Sequence, residues 1–131
     1  PANLISTNHR EIPTMLRRSI AVGAFLAVAV LLSPDARSQD DAEAVYTNYH
    51  RAIRTFELCE KRRFDQAEHE KMSIYIDRQI RDSIGVGRRL SLIQAAKAEA
   101  RELVDRYGCD SEGARELLSL FTRELQPTLM Q

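Results

Sequence analysis

Apolar side chains recur at intervals of three or four residues along most of the chain from residue 39 to residue 131. Side chains with this spacing lie on one face of an α-helix, where they can pack against a neighbouring helix. Turn-forming residues are scarce, with 5 glycines and 4 prolines among 131 residues, which suits a few long helices better than many short strands. The sequence therefore predicts an all-α fold, a small antiparallel bundle of three or four helices. The four apolar series are Val45, Tyr49, Ile53 and Phe56; Met72, Ile76, Ile80 and Ser83 or Ile84; Leu92 or Ile93, Ala96, Ala100, Leu103 and Tyr107; and Ala114, Leu117, Leu118, Phe121 and Leu125.

Polar and turn-forming residues between these series indicate where the helices begin and end. Asp65 and Glu68 have the spacing of a capping box, although nothing in that stretch excludes one continuous helix through the first two series. We expect the second helix to end at Gly85 and Gly87, since two glycines so close together make further helix costly. The remaining expected boundaries are a helix end at Gly108, a helix cap at Asp110 or Ser111, and a stop at Pro127.

Residues 20–32 form an apolar run without a charged side chain. Arg17 and Arg18 precede this run, and the small residues Ala36 and Ser38 follow it, which is the pattern of a secretory signal peptide. We therefore predict cleavage between Ser38 and Gln39. Residues 1–38 would be an N-terminal extension and signal peptide, and residues 39–131 a mature domain that is exported to the bacterial periplasm or secreted.

An alternative is that the leader stays attached and anchors the chain as an accessory subunit of a membrane complex. As a helix, the 13 residues of the apolar run would be about 20 Å long, whereas the hydrocarbon core of a bilayer is about 30 Å thick. The length favours a cleaved signal over a permanent span. We expect membrane contact only if the leader is retained.

Cys59 and Cys109 are the two cysteines of the chain. An even number of cysteines in an exported protein favours a disulfide. If successive helices alternate in direction, the end of the first helix and the turn before the fourth lie at the same end of the bundle. We therefore predict a Cys59–Cys109 disulfide, the alternative being two buried thiols.

The charge balance argues against a nucleic-acid partner. Lysine and arginine together number 19, and so do aspartate and glutamate. Basic and acidic residues are interleaved along the mature domain, which is typical of a surface with ion pairs, whereas a nucleic-acid interface has a basic stripe. Arg88 and Arg89 follow Gly85 and Gly87 and could hold an anion before a helix, but this stretch lacks the spacing of a phosphate-binding loop. We interpret it as a turn followed by two basic residues.

No catalytic, cofactor-binding or metal-binding site can be assembled from sequence spacing. His50 and His69 are the histidines of the mature domain, and they are not spaced as metal ligands on one helix. The leading hypothesis is an exported, non-enzymatic module that binds another protein, one version being a stress-protective role in the periplasm. Besides the membrane-anchored subunit, the remaining alternative is an enzyme or metal protein whose site forms from His50, His69 and nearby carboxylates only on folding or oligomerisation.

Overall fold

The computed structural model describes residues 34–131, with side chains from residue 38 onward. That part of the chain is helical and contains no strand, so the predicted all-α class is confirmed. Near the C-terminus, two α-helical segments are joined by a π-helical turn. The elements are α1 (Pro34–Cys59), α2 (Gln66–Ile80), α3 (Val86–Tyr107), α4 (Glu112–Leu120), the π turn (Phe121–Leu125) and α5 (Gln126–Leu129).

The first two apolar series belong to separate helices. Asp65 caps α2, since its carboxylate accepts a hydrogen bond from the Glu68 amide at 2.8 Å. The Glu68 carboxylate accepts one in return from the Asp65 amide at 3.0 Å, which completes the predicted capping box. Between the helices, Lys61 adopts a left-handed conformation with φ 50°. The alternative of one continuous helix is therefore excluded.

The predicted end of the second helix at Gly85 and Gly87 is wrong. α2 ends at Ile80, and Arg81 and Asp82 adopt left-handed conformations with φ 52°. Gly85 is instead the N-cap of α3, and Gly87 lies inside that helix.

Arg89 ties the connection between α2 and α3 together. Its Nε donates to the Ile84 carbonyl at 2.7 Å, and its two terminal nitrogens reach Asp77 at 2.8 Å and Asp82 at 3.0 Å. Ile84 is buried in the core as a result, with 2% of its surface exposed. These contacts stabilise the left-handed backbone of Arg81 and Asp82, which such residues do not otherwise favour. They come from Arg89, which follows the turn in the sequence.

The later boundaries follow the sequence more closely. Gly108, at φ 82°, ends α3, and Ser111 caps α4 by accepting a hydrogen bond from the Ala114 amide at 3.3 Å. Pro127, however, lies inside α5 and does not stop the helix. The π turn precedes it, with the Gln126 amide bonded to the Phe121 carbonyl, and such a widened turn can accommodate a ring that would otherwise clash with the carbonyl four residues earlier.

Helix α1 is the central element, against which α2, α3 and α4 all pack. Successive helices run in opposite directions, so α1 and α3 are parallel neighbours. Glu43 and Arg88 pair near their beginnings, with 2.9 Å between Oε1 and Nε, and Arg51 pairs with Glu99 further along at 3.3 Å. Cys59 and Cys109 lie near their ends at disulfide-bonding distance, with 5.8 Å between Cα atoms.

The core follows the predicted series with two exceptions. Val45 is 39% exposed, although the next residue, Tyr46, is buried. Tyr107 is 64% exposed at the last residue of α3. The buried apolar residues are Tyr46, Tyr49, Ala52, Ile53, Phe64, Met72, Ile76, Ile80, Ile84, Leu92, Ala96, Ala100, Ala114, Leu117, Phe121 and Leu125.

The predicted leader lies largely outside the described residues. Residues 20–32 belong to the part of the chain that the structure does not describe. Ser38 and Gln39 are exposed and lie within α1, so the expected cleavage point falls in the first turns of that helix. Among the described residues, no helix has both the length and the apolar character needed to cross a membrane.

Thr55 provides a test of the packing around α1. It is fully buried, and its hydroxyl has no hydrogen-bond partner among the described residues. Thr55→Val should raise the free energy of unfolding by about 1 kcal/mol, because it replaces an unsatisfied polar group with a methyl group of similar size. Chemical denaturation measures this. Thr55→Ser is the control, since it keeps the hydroxyl and loses the packed methyl, and it should be destabilising; a destabilising valine variant would contradict the interpretation.

The cysteine pair provides a second test. The two residues are separated by 50 positions, and closing a loop of that length stabilises a domain by about 4 kcal/mol in the chain-entropy model. The double variant Cys59→Ser, Cys109→Ser should lose about that much in urea unfolding. Wild-type protein treated with a phosphine reductant should unfold at the same midpoint as the variant. Equal midpoints for oxidised wild type and the variant would show that the cysteines are not joined.

Candidate functional site: a groove between α2 and α3

An open groove of about 1320 Å³ lies between α2 and α3, with α1 as its floor. Both walls pack against α1 but make no extensive contact with each other beyond their connection. The groove therefore runs along α1 toward the end that carries the cysteines. Its lining residues are His50, Ile53, Arg54 and Glu57 from α1; Arg63 and Phe64 from the following connection; His69 and Ser73 from α2; and Ile93, Gln94, Lys97, Ala98, Arg101, Glu102, Asp105 and Arg106 from α3.

The floor of the groove is apolar and firmly packed. Ile53 and Phe64 are 5% and 7% exposed. The Phe64 ring stacks against Phe56 and Phe121, with centroids 5.7 and 5.5 Å apart, and the latter two rings stack on each other at 4.0 Å. This aromatic cluster joins α1, the α1–α2 connection and the π turn, so the floor belongs to the hydrophobic core.

The rim of the groove carries more positive than negative charge. The residues that line the groove include five basic side chains and three carboxylates. Two of the basic side chains form ion pairs with two of the carboxylates. Arg54 pairs with Glu57 at 3.0 Å, and Arg106 pairs with Glu102 at 2.8 Å. Within the part of the chain that the structure describes, the other three basic residues have no carboxylate within 4.0 Å; they are Arg63, Lys97 and Arg101.

His50 lies on α1, the helix that forms the floor, and its ring contacts Tyr46 with 4.5 Å between centroids. Burial lowers the pKa of His50 to about 4, and the positive charges of Lys97 and His69 lower it further in the same direction. A histidine with this pKa is neutral at pH 7. It therefore adds no charge to the groove there and presents a polar edge on a largely apolar surface.

His69 lies across the groove from His50. Its Nε2 is 3.8 Å from the nearer carboxylate oxygen of Glu57, and its ring meets Phe64 edge to face. The fold thus brings together the two histidines that the sequence places 19 positions apart. No group of three or more potential metal ligands exists among the described residues.

The groove does not assemble a nucleophile and its base. Ser73 lines it, but in the described region no hydrogen bond joins its hydroxyl to either histidine. The Glu57 carboxylate accepts from Arg54 at 3.0 Å. What the surface offers is an apolar floor and uncompensated positive charge, which are features of a binding surface.

The basic pair at Arg88 and Arg89 is engaged in the fold. Arg88 bonds Glu43, and this hydrogen bond and charge lower the pKa of the Glu43 carboxyl. The Arg89 side chain is bonded to the Ile84 carbonyl, Asp77 and Asp82 in the α2–α3 connection. The prediction that residues 85–89 form a turn followed by two basic residues is wrong in its first part, because Gly85 is the N-cap of α3 and residues 86–89 form the first turn of that helix.

A second polar cluster lies outside the groove. Tyr49 and Tyr75 both donate hydrogen bonds to the same carboxylate oxygen of Glu124 in the π turn, the latter at 3.0 Å. Burial and the bond to Glu124 raise the pKa of Tyr49. The cluster ties α1, α2 and the π turn together. No sequence signal pointed to it, because its members are separated by 49 and 75 positions.

The groove cations were also missed at the sequence level. The sequence drew attention to the adjacent Arg88 and Arg89, whereas Lys97 and Arg101 are one helical turn apart in the middle of α3. Such a like-charge pair is mildly unfavourable on an isolated helix, which is the signal that could have drawn attention to it.

No protein-family profile, curated protein or solved structure matches this chain.

The lowered pKa of His50 predicts that the protein loses stability as the pH falls. Its pKa in the folded protein, about 4, lies below the ordinary value of 6.5, so the unfolded chain binds more protons between those pH values. Its contribution to stability is fully present above pH 6.5 and is lost as the pH falls toward 4. The full contribution is roughly 3 kcal/mol at most.

His50→Phe keeps an aromatic ring beside Tyr46 and should flatten the stability profile over that pH window relative to wild type. NMR titration of the His50 ring measures the pKa directly. Lys97→Gln should raise that pKa, since it removes a repulsive charge. A His50 midpoint near the ordinary value, or parallel stability profiles for wild type and His50→Phe, would contradict this interpretation.

Proposed function

We propose that the protein is an exported, non-enzymatic binding module that holds an acidic, amphipathic helix of a partner protein in the groove between α2 and α3. The observation that carries this proposal is the surplus of positive charge around an apolar floor. Arg63, Lys97 and Arg101 surround the buried side chains of Ile53 and Phe64. A partner with carboxylates on either side of an apolar stripe complements both features.

The shape of the groove supports a helical partner. Its floor is a helix and its two walls are helices, so the vacant position resembles that of one more helix in a bundle. Helices pack with axes about 8–10 Å apart. A segment that buries its own apolar stripe on Ile53, Phe64 and Ile93 would extend the existing core.

The unpaired cations support an acidic partner. Lys97 and Arg101 repel each other one turn apart on α3, and both also lie on the wall opposite α2. Carboxylates from a partner would replace this repulsion with two attractive interactions. Charge pairs at a partly buried surface contribute mainly to the rate of association and to the choice of partner.

The proposal also includes export of the protein from the cytosol. The apolar run at residues 20–32 and the two cysteines at disulfide-bonding distance both suit a protein that leaves the reducing cytosol. The mass of the native protein distinguishes export with a cleaved leader from retention of a membrane-anchoring leader. A chain that begins at Gln39 supports export, whereas a chain that retains residues 20–32 supports the membrane-anchored subunit.

Reversal of the groove charge tests the binding proposal. The probe is a designed 18-residue helix with leucine along one face and glutamate on its flanks, and the comparison peptide has lysine in place of glutamate. Wild type should bind the glutamate peptide more tightly, and Lys97→Glu with Arg101→Glu should weaken this binding by about tenfold or more. The same variant should gain affinity for the lysine peptide. Fluorescence anisotropy gives both affinities.

The matched control reverses one lysine and one arginine away from the groove, Lys71→Glu with Arg115→Glu. Both residues are exposed and neither lines the groove. This control has the same change in net charge and should bind the glutamate peptide nearly as wild type does. Equal losses in the two double variants would show that only net charge matters and would contradict the assignment of the groove.

A further inference from the structure

Two exposed apolar side chains continue the groove face of α3 toward its beginning. Val86 is 84% exposed and Leu90 is 61% exposed, the former being the most exposed of the large apolar residues in the described region. Val86, Leu90, Lys97 and Arg101 follow one another at spacings of four, seven and four residues. These spacings place all four on one side of the helix.

This side of α3 therefore changes character along its length. The end next to the α2–α3 connection carries the apolar Val86 and Leu90, and the half nearer the cysteines carries Lys97 and Arg101, with Asp105 one turn beyond them. The distance from Val86 to Arg101 along the helix is about 22 Å. A partner helix that covers both parts would have about 15 residues, or four turns.

We infer that the partner helix lies antiparallel to α3, with acidic residues in its first two turns against Lys97 and Arg101 and apolar residues in its last two turns against Val86 and Leu90. This inference rests on the proposed function and adds the length, polarity and direction of the segment that the groove binds. It also assigns the apolar end of the interface to two residues that do not line the groove.

Helix electrostatics determine the direction. Carboxylates near the N-terminus stabilise a helix, because the backbone there carries partial positive charge. A partner with its acidic half at the N-terminus is therefore a more stable helix than one with the same residues in reverse order. In the antiparallel arrangement, the partner's N-terminus also lies beside the C-terminal half of α3, where the partial charge is negative.

The apolar end of α3 provides the driving force that charge alone does not supply. Covering an exposed valine or leucine removes apolar surface from water at roughly 25 cal/mol per Å². Glu43 and the α2–α3 connection satisfy Arg88 and Arg89 nearby, so Val86 and Leu90 are flanked by charges that already have partners. The apolar pair is thus available to a ligand without leaving a buried charge unpaired.

Two 15-residue peptides of identical composition test the direction. Both have the apolar stripe that faces the groove floor; beside that stripe, one has glutamates in its first half and leucines in its second, and the other has the reverse order. We expect the first to bind wild type about tenfold more tightly, a difference typical of favourable helix-end charges combined with matched contacts. Equal affinity of the two peptides would overturn the directional inference.

A nitroxide on either end of the first peptide locates each end on α3. The N-terminal label should broaden the amide signals of residues near Arg101, and the C-terminal label those near Leu90. The opposite pattern would overturn the antiparallel arrangement while leaving the proposed function intact. Failure of both peptides to bind would overturn the proposed function itself, and the inference with it.

Surface variants test the apolar contact. Val86→Ser with Leu90→Ser should weaken binding of the first peptide about tenfold, since two apolar contacts are lost. The matched control, Ile74→Ser with Met130→Ser, changes two other exposed apolar residues, which are 48% and 78% exposed, and should bind as wild type. Unaltered affinity in the Val86, Leu90 variant would remove these residues from the interface.

Discussion

The packing of three helices around α1 is the constraint on which the rest of the structure depends. Tyr49, Ala52 and Ile53 are buried together on α1, and α2, α3 and α4 all pack against this helix. Since α2 and α3 lie on α1 without closing against each other, the space between them is left open. The groove is thus a direct result of how the core is built.

Local signals in the sequence were sufficient for much of the secondary structure. The capping box at Asp65, the glycine at position 108 and the serine cap at position 111 each act within a few residues, so their effect is visible without the fold. The end of α2 could not be predicted in the same way. It depends on Arg89, which follows the turn and reaches back to Asp77 and Asp82, and on the burial of Ile84.

The candidate site was less accessible to sequence reasoning than the fold. Periodicity showed which face of each helix would be apolar, but whether two neighbouring helices close against each other depends on side chains from all of them. His50 and His69 were paired in one alternative only, because their spacing does not place them as ligands on one helix face. Arg63, Lys97 and Arg101 form one basic rim only after the α1–α2 connection has brought residue 63 opposite α3.

The position of the cysteine pair has a consequence for both walls of the groove. Cys59 and Cys109 enclose the whole of α2 and α3 within one covalent ring. With the sulfurs joined, a protease that cut the exposed connection at residues 81–83 would open this ring without releasing a fragment. Both walls of the groove would remain parts of a single molecule.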